Sequence, residues 1–158
     1  MNIILDISQI QIHNIFFLDS KKNIIMDGKF TKIIYSDDLL TTNGVFLSTS
    51  FNFPTVDKLM NKNILKFPIG DKSNVKILSG LSQIEQSIIE YYKHIFNSNK
   101  TAVLSLSDNM SNGCVKLYRE YFNYSPFKNY IIKISGVWED HSRIGITYKF
   151  LEALSINN

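Results

Sequence analysis

The sequence predicts a mostly β domain (β with one long helix), arranged as an OB-like barrel or, alternatively, as a β-sandwich with a lone helix. Three observations predict it. The first half alternates short runs of β-branched and aromatic residues with turn dipeptides. A single apolar stripe at helical period follows over residues 82–97. The chain then returns to strand-like runs and ends on two that read as a hairpin. Strands, one helix, then more strands is an order that suits an OB-like barrel, and a sandwich accommodates it with the helix outside.

Residues 10–18, rich in Ile and Phe, read as a strand, and Lys21-Lys22-Asn23 as a turn before a strand starting at 24–26. Asp27-Gly28 turns the chain into a strand over 30–35. Asn43-Gly44 precedes a strand over 45–53, which Pro54 ends. Residues 56–60 suit a short helical turn, and 63–68 and 75–78 short strands around Gly70-Asp71. In the helix, Ser82-Gln83-Ile84-Glu85 has the form of a capping box. Ile84, Ile88, Tyr91, Tyr92 and Ile95 form its stripe, with Ile84, Ile88, Tyr92 and Ile95 expected in the core. Residues 101–106 read as a strand, 108–113 as a polar loop ending in Asn112-Gly113, and 114–122 as a strand before Tyr124-Ser125-Pro126.

The last two runs, 129–139 and 143–151, carry the most information because their register can be argued. Period two places Ile132, Ile134, Gly136 and Trp138 on one side of the first strand, and Ile144, Ile146, Tyr148 and Phe150 on one side of the second. These sets must share the core side. A three-residue loop, Asp140-His141-Ser142, achieves this, setting Glu139 opposite Arg143, Trp138 opposite Ile144 and Ile134 opposite Tyr148. On the other side Lys133 then opposes Lys149, and Ser135 opposes Thr147. Like charges directly opposite cost up to roughly 1 kcal/mol. If Val115 and Leu117 face inward, Lys116 and Tyr118 join this surface. Lys116, Tyr118, Lys133, Ser135, Arg143, Thr147 and Lys149 are therefore the candidate nucleic-acid-binding residues. The lysines would neutralise a phosphate backbone, and Tyr118 would stack a base. The opposing reading is a solvated strand face whose lysines splay into water and guard an edge.

Composition sets looser bounds. At 158 residues, 44% hydrophobic, the chain is long and apolar enough for one domain with a real core, with residues 1–42 as a candidate N-terminal strand appendage. The net charge of +3 permits a polyanionic partner without demanding one. Cys114 is the sole cysteine, which fits a reducing compartment. The N-terminal residues lack the basic start and apolar stretch of a secretion signal, and no apolar run reaches the ~20 residues of a membrane span. The expectation is a protein that is not secreted and needs no membrane. His13, His94 and His141 are scattered and show no metal-ligand spacing; no phosphate-binding glycine loop and no nucleophile elbow occurs. No metal, cofactor or catalytic residue is expected.

Two stretches carry a resemblance. Met26-Asp27-Gly28-Lys29-Phe30-Thr31-Lys32-Ile33-Ile34-Tyr35-Ser36-Asp37, followed by Asn43-Gly44-Val45, is one. Ile132-Lys133-Ile134-Ser135-Gly136-Val137-Trp138-Glu139, followed by Gly145-Ile146-Thr147-Tyr148-Lys149-Phe150, is the other. Together they resemble small uncharacterised proteins of nucleocytoplasmic large DNA viruses (giant viruses), and the second is similar to viral OB-fold single-stranded-DNA-binding proteins. The resemblance implies a viral protein of the host cytoplasm or viral factory, or of the virion, and transfers no catalytic residue. The functional expectation is a non-enzymatic protein that binds single-stranded DNA or RNA. The alternative is a virion structural or assembly protein acting through contacts with copies of itself, as a homo-oligomer, or with other viral proteins.

Overall fold

The computed structural model describes residues 4–120 and 130–153. Along these residues run β1 (Leu5–Asp6), β2 (Ile15–Phe17), β3 (Lys21–Lys22), β4 (Lys29–Ser36), β5 (Thr41–Thr42), β6 (Val45–Thr49), β7 (Thr55–Leu59), β8 (Lys62–Lys66), α1 (Lys72–Ile95), β9 (Thr101–Ala102), α2 (Ser105–Ser111), β10 (Cys114–Glu120), β11 (Tyr130–Glu139) and β12 (Arg143–Ala153). The expected interruption at Tyr124-Ser125-Pro126, and the outer ends of the expected strands at 121–122 and 129, lie outside the described residues. The strands form a sheet in the order β1-β6-β11-β12-β10-β8-β7, and β4 joins β11 and carries β2, β3 and β5. The domain is mostly β with one long helix, as the sequence predicts. Among the described residues the sheet stays open and does not close into a barrel.

The β11–β12 hairpin is the middle of the sheet, and its register differs from expectation in one informative way. Lys133 opposes Lys149 and Ile134 opposes Tyr148, as the apolar pattern requires. Beyond Ile134 the register shifts by one, so that Gly136 opposes Thr147, Trp138 opposes Gly145 and Glu139 opposes Ile144. The loop is two residues, His141-Ser142, closed by Asp140 and Arg143, rather than three. A β-bulge at Ser135 supplies the missing residue. The consequence is a change of side for everything between bulge and turn. Val137 enters the core, whereas Trp138, expected inside, lies half-buried on the side away from α1. Ser135 no longer opposes Thr147.

The two-residue turn sets Glu139 opposite Ile144 and so turns it inward, where it is buried. A buried carboxylate needs partners. Tyr92 Oη donates to its Oε2 at 3.2 Å, and Lys100 Nζ to its Oε1 at 3.1 Å. Burial holds the Tyr92 phenol above its ordinary pKa.

Helix α1 begins ten residues earlier than expected. Asp71 is its N-cap, accepting the amides of Ser73 and Asn74, so residues 75–78 are helical and not a strand. Ile84, Ile88 and Tyr92 are buried as expected, but Ile95 is 47% exposed; the rings of Phe17, Tyr92 and Phe96 pack together at that end instead. Ser82 and Glu85 form no capping box. Glu85 is wholly buried and caps another helix: its carboxylate accepts the amides of Leu106 and Ser107 at 2.9 and 2.8 Å and the Ser107 hydroxyl at 2.6 Å. Those amides open α2, whose own N-cap residue, Leu104, offers no side-chain bond. This is why the expected strand over 101–106 stops at Ala102 and the expected loop over 108–113 is mostly helix. Elsewhere, residues 56–59 pair with β8 as part of β7 and Met60 lies in the turn between the two strands, so 56–60 are not helical. Residues 10–18 contain a 3-10 turn, Ile12–Asn14, ahead of the short β2, and 24–26 lie outside any strand. Asn74, also wholly buried, accepts the Asn52 amide and donates to the carbonyls of Asn52 and Pro68, tying the start of α1 to two loops.

Two outcomes test this account. Glu85→Gln replaces an acceptor oxygen with a donor facing backbone N–H groups; it should lower stability by about 1–3 kcal/mol, read as a lower urea midpoint at unchanged slope. The Asp140 carboxyl is held down to about 2, first by the Ser142 amide and then by the Arg143 side chain. A depressed folded-state pKa stabilises above the unfolded value of about 3.9 and is lost as pH falls through the folded one. Asp140→Asn should thus be less stable than the parent at about pH 7, with the difference shrinking as pH falls from about 4 towards 2; a pH-independent difference in urea midpoints would contradict the assignment.

Candidate nucleic-acid interface

Alternation sorts the side chains of the sheet into two faces. One packs on α1: Ile33 and Tyr35 from β4, Val45 and Leu47 from β6, Leu65 from β8, Val115 and Leu117 from β10, Ile132, Ile134 and Val137 from β11, and Ile144, Ile146 and Phe150 from β12 are all buried in one cluster with it. The other face carries a smaller cluster of Phe46, Ile131 and Leu151, against which Ile4 and Tyr118 pack. Lys116, Lys133 and Lys149 stand on this outer face.

The expected convergence of lysines around Tyr118 is present, and its geometry explains how like charges are tolerated. Lys116 Nζ lies 4.5 Å and Lys149 Nζ 5.1 Å from the centroid of the Tyr118 ring. Lys133, directly across from Lys149, turns its ammonium to the Phe46 ring at 5.4 Å. Each contact contributes about 0.5–1 kcal/mol at an exposed site. That matches the roughly 1 kcal/mol that two opposed like charges cost. The pair is therefore held by rings and not by carboxylates. In none of the ion pairs found among the described residues does one of these three lysines take part.

The remaining candidates are placed differently. Thr147 shares the outer face, opposite Gly136, and Ser135 forms the bulge. Arg143 sits at the turn, six residues from Lys149 along β12, or roughly 20 Å. Its guanidinium binds Asp140 Oδ2 through Nε at 2.8 Å and Nη2 at 2.6 Å, and lies 5.9 Å from the Trp138 ring. It is thus apart from the lysines and already paired.

Three aromatic residues of this face, Phe30, Phe46 and Trp138, were not among the candidates. The Trp138 ring covers Gly145, where a Cβ would lie 2.6 Å from it, and the Phe30 ring covers Gly136 at the same distance. Phe30 and Lys32 had a readable signal, since they alternate with the inward Thr31, Ile33 and Tyr35. Trp138 had none, because the bulge reverses its side.

Beside the lysines the sheet opens into a cleft. Tyr148 lines it from the core side, its hydroxyl accepting from Asn109 Nδ2 at 2.6 Å and donating to the Ser105 carbonyl at 3.3 Å. Burial raises the Tyr148 phenol, and the hydrogen bond from Asn109 acts against it. Among the described residues, no group of three His, Cys, Asp or Glu side chains is placed to hold a metal ion, and no helix is long and apolar enough to cross a membrane.

The ring contacts predict a measurable coupling. A double-mutant cycle of Lys149→Met with Tyr118→Leu should give about 0.5–1 kcal/mol in urea unfolding; strict additivity would mean that the ring does not hold the ammonium. Comparison of the chain with protein-family models, with curated proteins and with solved structures finds no match.

Proposed function

We propose that the outer sheet face binds single-stranded nucleic acid without catalysing a reaction. One observation carries this reading: Lys116 and Lys149 flank the Tyr118 ring, with Lys133 opposite Lys149, and no ion pair among the described residues engages them. A phosphate chain would supply counter-charge to these three lysines, and a partly buried ring beside two ammonium groups offers a stacking platform next to phosphate sites. The rings of Phe30 and Trp138 extend the same face. Barrel closure is not required, because an open sheet presents the same alternation of rings and cations as an OB-like wall. The resemblance to proteins of large DNA viruses supports a setting in the host cytoplasm or viral factory, where single strands of viral DNA or RNA are the available ligand.

A second reading, a virion structural or assembly protein, is favoured by a different observation. Ile24, Ile25, Leu39 and Met60 are each at least 90% exposed, and β7 is an edge strand exposed throughout. Such features suit contact with other proteins. Salt separates the two, since polyanion binding weakens steeply with it and apolar contact does not.

Fluorescence anisotropy of a labelled oligothymidylate at two salt concentrations tests the proposal. The parent should bind at low salt and release as salt rises. Changing Lys116, Lys133 and Lys149 together to Gln should reduce the salt slope by about 2, at roughly 0.7 per neutralised phosphate of a single strand. Tyr118→Ala should weaken binding by about 1–3 kcal/mol with the slope unchanged. A parent that binds no oligonucleotide at low salt, or a triple variant that binds as the parent does, overturns the proposal.

A further inference from the structure

The seam between β10 and β12 is discontinuous. Among the described residues the strands pair in parallel from Leu117 opposite Phe150 to Glu120 opposite Ala153, and not ahead of Leu117. On the same edge of β12, β9 pairs with Arg143 and Ile144. Between these two stretches α2 stands against the edge, held by the bonds from Tyr148 to Asn109 and Ser105. The gap left beside it is a cleft of about 420 Å³, with Asn109, Asn112, Cys114, Lys116, Tyr118 and Lys149 in its walls. That volume lies in the range of sites for small organic ligands, about 300–1,000 Å³.

The chemistry of the walls is specific. Tyr118 presents an aromatic ring. Lys116 and Lys149 place two ammonium groups beside it. Asn109 uses one N–H on Tyr148 and Asn112 one N–H on the Asp108 carbonyl, which leaves each amide a carbonyl oxygen and a second N–H for a ligand. A ring face, amide donors and acceptors, and paired cations are what one nucleotide requires: a surface to stack on, partners for the base edge, and counter-charge for the phosphate.

We infer that this cleft admits a single nucleotide of the bound strand, its base against Tyr118 and facing Asn109 and Asn112, its phosphate between Lys116 and Lys149. The inference rests on the nucleic-acid reading of the outer face and adds a pocket to it. The strand does not merely lie across the sheet; one residue of it enters the break between two strands.

Cys114 provides the test, because it lines the cleft, is exposed and is the only cysteine of the chain. Its alkylation by N-ethylmaleimide, an uncharged reagent, is followed by mass spectrometry on the full chain. Three samples are compared: protein alone, protein with oligothymidylate, and protein with a strand of equal length made of abasic sites. Anisotropy fixes the bound fraction in each. Oligothymidylate at about ten times its Kd should slow alkylation about tenfold, as only unoccupied protein reacts, while the abasic strand at equal occupancy leaves the rate near that of free protein. Asn112→Phe, which puts a bulky ring into the wall of the cleft, should weaken oligothymidylate binding and spare the abasic strand. If oligothymidylate binds and Cys114 reacts at the free rate, or if both strands protect equally, the cleft holds no base: the inference falls and the outer-face reading stands. If neither strand binds, both fall together.

Discussion

A two-residue turn and a continuous apolar face cannot both be satisfied along the β11–β12 hairpin without an extra residue. With Asp140 and Arg143 closing the turn, the inward residues of β12 are Ile144, Ile146, Tyr148 and Phe150. An unbroken ladder would then bring Val137, Ser135 and Lys133 to the core from β11. Burying an unpaired lysine is prohibitive. The bulge at Ser135 moves the ladder by one, and Ile134 and Ile132 enter the core in place of Ser135 and Lys133. Because β6 and β4 both pair with β11, on either side of that bulge, the rest of the sheet inherits its two faces from this single irregularity.

The two-residue turn has a cost, the inward Glu139, and the way it is met recurs in the fold. Glu139, Glu85 and Asn74 are buried polar groups, and each joins elements distant in sequence. Glu139 connects β11 to α1 through Tyr92 and to the residue before β9 through Lys100. Glu85 connects α1 to the start of α2. Asn74 connects α1 to the loops after β6 and β8. Each is satisfied by more than one partner, which is the condition under which a buried polar group specifies a structure instead of weakening it. Helix α1 takes part in all three, so it orders the loops and the short second helix as well as filling the core.

The same irregularities shape the outer face. The two-residue turn puts Trp138 there, over Gly145, and the bulge keeps Lys133 there, opposite Lys149. The α2 cap by Glu85 holds that helix against β12, and the cleft beside Tyr118 exists because α2 occupies the edge that β10 would otherwise continue along. Binding chemistry and folding constraint thus share residues at this surface.

The sequence by itself determined the strand-rich class, the presence of one long amphipathic helix, the pairing of Lys133 with Lys149 and the shared side of Lys116 and Tyr118 on their strand. All of these follow from periodicity, which is a local property: apolar residues two apart must share a face wherever the strand lies. Tertiary structure alone decided the bulge, the side of Trp138, the inward turn of Glu139, the start of α1 and the existence of α2. Ser82-Gln83-Ile84-Glu85 has a capping box's letters, yet Glu85 caps a helix twenty residues further on, because the amides that need an acceptor are brought to it by packing and not by sequence. Nor does the order of residues announce an open sheet with a break between β10 and β12, since which edges pair depends on which neighbours can bury their faces together.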